Sequence, residues 1–457
     1  MQTKIRSGQS MLSGPIWKGL LAFAWPIFLG QLFQQLYNTA DTLIVGNFIS
    51  KEALAAVSSS GNLIFMLTGL LGGIAMGGGV LIAKFFGAKD YQSLQRAIHT
   101  GLAFALLGGV ILTLLGVFLA PVILRWMGTP PTVLPNSVAY FRTYFLGALP
   151  SFFYNVCVGI LQAVGDSRHP LLYLIISSIL NVLLDLLFVA VFGWGVAAAA
   201  AATVIAQTVS ALLCLLQLLR GDPIYRVNLR KIRLHRDLLG MLLKIGIPSG
   251  IQNCAISLAN VIVQANINNF GADAMAGCGS YAKVEGFAFL PVTCFSMGLA
   301  TFVGQNLGAK QYDRVKQGNR FGVLCSVLMA EVVGLAIYLF APYLIKLFNS
   351  DPNVVAFGAR QAKTEALFYC CLAFSHCMAG IFRGAGKSTV PMAVMLCCWC
   401  LIRVTYITGM IRFVAENILV VFSAYPLTWT LSGIFFTVYY FKSDWIHHFD
   451  RLDRKRK

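Results

Sequence analysis

The feature that most constrains this chain is a succession of about twelve apolar runs, each long enough to cross a bilayer. They fall near residues 16–46, 53–82, 97–125, 135–160, 170–192, 195–219, 238–269, 275–304, 318–348, 358–382, 389–413 and 416–442. A helix spans the roughly 30 Å hydrocarbon core in about 20 residues. Inside lipid, only helices and closed barrels satisfy their own backbone polar groups. The chain is 58% hydrophobic and 11% charged over 457 residues, where soluble domains carry about 25% charge. The expected fold is therefore an all-α polytopic membrane protein. No basic n-region, short apolar stretch and cleavage site precede the first run, so no removed signal peptide is expected.

The net charge of +18 raises nucleic acid as a partner. That class is excluded, because the basic residues lie on loops between spans and not on one soluble module. Lys4, Arg6 and Lys18 precede the first span; Lys84, Lys89 and Arg96 follow the second, and Arg168 the fourth. Arg220, Arg226, Arg230, Lys231, Arg233, Arg236 and Lys244 follow the sixth, Lys310, Arg314, Lys316 and Arg320 the eighth, and Arg383 and Lys387 the tenth. With Lys442 and the Arg451–Lys457 tail, about 26 of the 35 basic residues share one side. The positive-inside bias makes that side cytoplasmic. Both termini are expected there, in a multi-pass protein of the cell (inner or plasma) membrane.

The chain also repeats itself. GAKDY (Gly87–Tyr91) returns as GAKQY (Gly308–Tyr312), Leu119-Ala120-Pro121 as Phe340-Ala341-Pro342, and Gly165-Asp166-Ser167 with Pro170 as Gly386-Lys387-Ser388 with Pro391. All share an offset of about 221 residues, and Pro26 pairs with Pro248 one residue out of step. Each half holds an even number of spans, so the halves point the same way. This is a parallel repeat of two six-helix lobes, an architecture typical of secondary transporters. The expected boundaries are an N-terminal lobe at 1–219, a cytoplasmic linker at 220–237, a C-terminal lobe at 238–442 and a basic tail at 443–457.

The first span carries Gln31, Gln34, Gln35, Asn38, Asp41 and Thr42 at spacings of three and four, which places them on one helical face. Such a stripe faces protein or a watery cavity. A carboxylate at membrane depth costs about 3 kcal/mol on insertion scales, so Asp41 is a functional candidate. Asn181 and Asp185 share a face of span five, and Thr203 lies in span six. They either join Asp41 in a buried polar pocket or bond neighbouring helices structurally. Span seven repeats the stripe as Asn253, Ser257, Asn260 and Gln264, with Val263 where the repeat would place Asp41. The titratable site is therefore expected in the first lobe. Lys283, Glu285, Glu331, Glu365 and Arg403 are further intramembrane charges, open to structural pairing or substrate contact. Lys283 and Glu285 point to different faces, and Glu331 and Glu365 are expected closer to span ends.

Three apparent motifs fail on context. GAGKST (Gly384–Thr389) resembles the end of a phosphate-binding loop, but Ile381 stands where the first glycine belongs, and the segment follows an apolar helix. GGIAMGGG (Gly72–Gly79) fits close helix contact better than nucleotide binding. Cys397 and Cys400 form a CxxC inside a span without partner ligands, so the cysteines read as core side chains and no structural metal is expected. No HExxH or Ser/His/Asp signature suggests an enzyme.

LYNTADTLIVGNF, the paired GAK loops, YAKVEGFAFLP (Tyr281–Pro291), FVGQNLGAK (Phe302–Lys310), FRGAGKSTVPM (Phe382–Met392) and AYPLTW (Ala424–Trp429) together resemble the multidrug and toxic compound extrusion (MATE) family over essentially the whole chain. The resemblance implies two six-helix bundles around a cavity and export of organic cations and drugs in exchange for protons or sodium, with no other cofactor. Asp41 matches the first-helix aspartate of the bacterial and archaeal DinF-like branch, and Asn181, Asp185 and Thr203 its other pocket members. These four form the expected cation-coupling set, able to take a proton or a sodium ion. Gln34, Tyr37, Asn38, Asn253, Asn260, Gln264, Lys283 and Glu285 form the expected substrate-cavity set. The span-seven glutamate of the NorM-like branch is missing from Ser257-Leu258-Ala259-Asn260. The expected partners are the lipid bilayer and small organic cations, met by a monomer. The rivals are a flippase for lipid-linked saccharides, which would want a strongly basic cavity, and a polytopic membrane enzyme.

Overall fold

The computed structural model of the chain describes residues 11–48, 51–126, 134–414 and 417–454, and their side chains except at 40–48, 51–67 and 196. Within these bounds the chain is helical and contains no strand. The first half comprises α1 (Ile16–Phe48), α2 (Lys51–Gly87), α3 (Tyr91–Trp126), α4 (Leu134–Leu146), α5 (Ala148–Ala163), α6 (Arg168–Asp185) and α7 (Val196–Arg220). The second comprises α8 (Arg236–Asn268), α9 (Ala272–Gly308), α10 (Tyr312–Lys346), α11 (Pro352–Glu365), α12 (Tyr369–Gly384), α13 (Thr389–Met395), α14 (Arg403–Phe413), α15 (Ile418–Lys442) and α16 (His448–Arg454).

Among the described residues eleven spans are long and apolar enough to cross a membrane, and twelve when α4 and α5, bent by 43°, count as one. The expected twelve thus include one broken span. Its break falls at Gly147, where the amide bonds back to the Tyr144 carbonyl at 3.0 Å. α11 and α12 form a single span through a 3₁₀ turn at Ala366–Phe368. Two further spans contain π-helical stretches, at Leu186–Val191 after α6 and Leu396–Ile402 before α14. Such stretches arise where side chains are re-aimed at the expense of regular backbone bonding.

Burial repeats with the sequence. The apolar windows of Thr68–Gly87 and Ala272–Gly308 are each 67% buried, while those of Tyr91–Trp126 and Tyr312–Lys346 are each 22% buried. The equivalent helices of each half therefore take the same inner and outer places, and the outer ones turn leucine, valine and phenylalanine towards lipid.

The described residues divide into two compact units, the first running from Leu29 to Gly250 and the second joining the residues up to Phe28 to those from Ile251 onward. Both divisions fall inside helices, within three residues of Pro26 in α1 and Pro248 in α8. A proline there removes a backbone hydrogen bond and is where a helix yields most easily. In the first unit Ala120, Leu124, Phe141, Phe145 and Ala148 form an apolar core. In the second, Val263, Ile267, Ala274, Cys278, Ile407, Ile418, Val421, Phe422 and Ala424 do so.

The glycine run of α2 has a packing role. A Cβ on Gly73 would lie 2.4 Å from the Gly250 amide, and one on Gly77 2.4 Å from Gly246. Only paired glycines let α2 and α8 cross this closely. GAGKST forms a turn: Gly386 has φ of 76°, and Lys387 bonds the Tyr439 hydroxyl at 2.9 Å.

The segment between α7 and α8 is fastened to the start of α3. Gln95 donates to the Ile224 carbonyl at 2.8 Å, the Asn228 amide donates to His99 Nε2 at 3.1 Å, and Arg96 pairs with Asp237 at 3.1 Å. Past α15, Trp445 and Phe449 are buried, and Asp450 accepts from the Tyr312 hydroxyl at 2.7 Å.

Candidate functional site

In the first unit, polar side chains from three helices converge. α6 supplies Ser177, Ser178 and Asn181, and α7 supplies Thr203, Gln207 and Ser210, each set recurring at helical spacing. Gln34 and Tyr37 of α1 complete a cavity of about 30 Å³. That is the volume share of a single water molecule. Asn181 Nδ2 donates to Thr203 Oγ1 at 3.5 Å, and Thr203 in turn donates to the Ala199 carbonyl at 3.2 Å. Asp185, wholly buried, follows Asn181 by one turn at the end of α6, where the π-helical stretch begins.

Ser178 Oγ, Asn181 Oδ1 and Gln207 Oε1 are buried and, among the described residues, have no protein partner. An unsatisfied buried oxygen costs about 1–3 kcal/mol. Three around one cavity make it a place for a hydrogen-bond donor or a small hard cation, which oxygen ligands suit.

The second unit buries charge. Tyr281 and Glu285 of α9 lie four residues apart, as do Gln361, Glu365 and Tyr369 along α11 and α12. Glu365, fully buried, accepts from Gln361 Nε2 at 2.9 Å and from the Tyr281 hydroxyl at 3.3 Å, while the Tyr281 and Tyr369 hydroxyls meet at 2.7 Å. Arg403, opening α14, bonds Thr428 Oγ1 through Nε at 3.1 Å and Nη2 at 2.8 Å, and lies over the ring of Tyr425 at 4.3 Å. Glu285 and Glu365 are both within electrostatic range of this guanidinium.

Of the expected coupling residues, the structure brings Asn181 and Thr203 together and buries Asp185 on the same helix face as Asn181. The Asp41 side chain lies outside the described residues. Of the expected substrate-cavity residues, Gln34 and Tyr37 line the first-unit cavity, and Asn38 is exposed on the next turn. Asn253 is half-buried and Asn260 exposed on α8, while Gln264 donates to Asn268 at 2.9 Å. Lys283 is exposed, with Nζ 5.4 Å from the Phe348 ring centre, and Glu285 belongs to the Arg403 network. The expectation that Glu331 and Glu365 lie towards span ends is overturned. Both sit well inside their spans, Glu331 accepting from the Cys370 amide at 3.2 Å. The reason is that the 3₁₀ turn after Glu365 continues its helix into α12, making one 33-residue span of Pro352–Gly384.

Sequence reasoning missed Ser177, Ser178, Gln207 and Ser210, and the network of Tyr281, Gln361, Tyr369 and Thr428. The signal was present as polar residues at spacings of three and four within single spans. Cys400 Sγ donates to the Ala255 carbonyl at 3.2 Å. Among the described residues, no group of three or more histidine, cysteine or acidic side chains is placed to hold a metal ion.

The chain is similar to the probable multidrug resistance protein YoeA of Bacillus subtilis, with 28% identity over 433 residues covering 93% of each chain. Among solved structures it superposes on the outward-facing conformation of a multidrug resistance MATE family transporter of the MOP superfamily, with a TM-score of 0.90, 22% identity, and coverage of 96% of this chain and 98% of that one. It also superposes on a MOP superfamily transporter from Pyrococcus furiosus, described as having a binding pocket of reversed polarity, with a TM-score of 0.90, 21% identity and full coverage of both. The profile of the MatE family matches residues 26–187 and again 248–407, the second match starting 222 residues after the first. With both repeats matched, the chain belongs to the MatE family: it is a multi-pass membrane transporter and not an enzyme.

Proposed function

We propose that this transporter is a cation-coupled antiporter that exports organic cations by alternating access, with proton or sodium entering as the drug leaves. The observation that carries the coupling half is the first-unit cavity, in which Asn181, Ser178 and Gln207 present buried oxygens without protein partners. Asp41 follows Gln34 and Tyr37, two residues that line this cavity, by seven and four positions in the sequence, the spacing of one polar stripe, and on that spacing it is taken as the titratable member. An aspartate there can alternate between charged and neutral forms, taking a proton, or a sodium ion shared with Asn181, Asp185 and Thr203. Export then requires only that drug and coupling ion favour different states of one two-state protein. The name borne by YoeA supports the drug half. We further assign both termini to the cytoplasm, and transport to the monomer.

The test is ethidium efflux from cells expressing the protein, with proton and sodium gradients collapsed separately. Efflux should stop with one gradient and survive loss of the other. Asp41→Asn should reach the membrane at normal levels and fail to export. Wild-type efflux by a well-expressed Asp41→Asn protein would remove Asp41 from the mechanism. Movement of anionic lipid-linked saccharides with no movement of dye would favour the flippase instead.

A further inference from the structure

The second unit carries an open groove on the outer face formed by α10, α12 and α15, with a volume of about 1040 Å³. Its α10 wall is Lys316, Asn319, Arg320, Val323, Leu324 and Val327, recurring at three and four residues along one face. The groove is charged at one end only. Lys316 and Arg320 are exposed at the end that meets Ser443 and Trp445, and beyond them the lining is apolar apart from Thr437, down to Phe374 and Met378. At Val327, Phe374 and Thr437 it meets a second, almost wholly apolar hollow of about 400 Å³. From Lys316 to Val327 the helix rises roughly 16 Å at 1.5 Å per residue, about half the hydrocarbon thickness of a bilayer.

Two polar side chains at the charged end are unsatisfied. Asn319 is 3% exposed, and both its Oδ1 and Nδ2 have no partner among the described residues; the same holds for the buried Oγ of Ser443. The adjacent carboxylate, Asp444, is engaged by His447 Nδ1 at 2.6 Å and by Arg451 Nη2 at 3.3 Å, so the mouth keeps its positive charge.

We propose that this groove is a binding site for one anionic phospholipid of the leaflet on the basic-loop side. The phosphate sits between Lys316 and Arg320 and accepts from Asn319 Nδ2 and Ser443 Oγ, and one acyl chain lies along Val323, Leu324 and Val327 towards Phe374. The match is one of charge and depth together: a lipid offers an anion and a leaflet-long apolar tail in that order. Free phosphate would use the first and not the second. The site is independent of the transport reading.

The test is native mass spectrometry of the full chain in detergent, titrated with dioleoyl phosphatidylglycerol or dioleoyl phosphatidylcholine. The wild type should retain one phosphatidylglycerol in preference to phosphatidylcholine. Each exposed base is worth about fivefold in affinity for an anionic lipid, so Lys316→Ala with Arg320→Ala should weaken phosphatidylglycerol by roughly 25-fold and phosphatidylcholine, whose choline offsets its phosphate, by much less, so that the preference is lost. Val327→Phe, which narrows the groove below its mouth, should weaken both lipids. Equal retention of the two lipids by the wild type, an unchanged preference in the double variant, or displacement of phosphatidylglycerol by inorganic phosphate alone would each overturn the proposal.

Discussion

The first unit gathers Ser178, Asn181, Thr203 and Gln207 around a cavity of about 30 Å³ and leaves three buried oxygens unpartnered, whereas the second satisfies the Glu365 carboxylate with donors from Gln361 and Tyr281, joins Tyr281 to Tyr369, and leaves Gln361 Oε1 unpartnered. Where the first-unit repeat carries Asp41, the second carries Val263, which is 1% exposed and packed in the apolar core with Ile267, Cys278 and Val421. The two halves of the repeat thus differ in what their buried polar groups surround: a small cavity in the first, a carboxylate in the second. An incomplete set of oxygens is suited to binding and releasing something small. A carboxylate already held by two donors, with a guanidinium nearby, holds helices together. On this contrast we propose coupling in the first unit and cohesion in the second.

The largest expected effect breaks this contrast if it fails. Arg403→Met removes the cation near Glu285 and Glu365, and an uncompensated buried charge costs about 3–5 kcal/mol. Thermal unfolding of the purified protein should show a marked loss of stability, partly restored by adding Glu285→Gln. A variant as stable as the wild type, yet unable to transport, would make this network a transport site and reverse the assignment.

The first unit should answer the other way. Asp185→Asn, which keeps the size of the side chain, and Asn181→Ala, whose bond to Thr203 is long at 3.5 Å, should each change stability by about 1 kcal/mol or less. Efflux should nevertheless fall roughly 5- to 150-fold, the loss that 1–3 kcal/mol of coupling implies. Parallel unfolding and ethidium efflux measurements decide it. Loss of stability in step with loss of efflux would make these residues structural.

The smallest effect sharpens the contrast outside the membrane. His235 receives Arg233 Nε on its Nε2 at 3.1 Å and faces Thr100 Oγ1 through Nδ1 at 3.0 Å. Since Thr100 Oγ1 already donates to the Arg96 carbonyl at 2.7 Å, Nδ1 donates and the ring is neutral. Burial first, then Arg96 and Arg233, lower its pKa from the ordinary 6.5. The folded arrangement therefore binds fewer protons than the free segment, and its docking is full above about pH 6.5 and weakens as pH falls below it. On the second unit, hydrogen bonding from His447 lowers the pKa of Asp444 from 3.8, so that hook weakens only in much stronger acid. A spin label at exposed Leu229 should gain mobility between pH 7.5 and 5.5. A pH-independent label would show that His235 does not hold the segment.

Much of this was legible beforehand, and the parts that were not share a cause. Hydropathy counts residues along one chain, so the spans, the 221-residue repeat and the polar face of α1 could be read directly. The family profile then matched twice at nearly that spacing. Glu365 was misplaced because a 3₁₀ turn merges α11 with α12, and backbone bonding of that kind leaves no mark in apolar content. The glycine run of α2 suggested close contact, but its partner at Gly246 and Gly250 could be found only across space.

The sequence by itself determined that this protein is a helical membrane transporter of two like halves, because a bilayer demands long apolar helices and a repeat preserves their order. Only the tertiary structure decided which polar residues share a site. Asn181 meets Thr203 across 22 residues and Tyr281 meets Tyr369 across 88. Each helix turns several faces to its neighbours, and which face meets which is settled by packing, by Gly147 breaking one span and by π-helical stretches rotating two others.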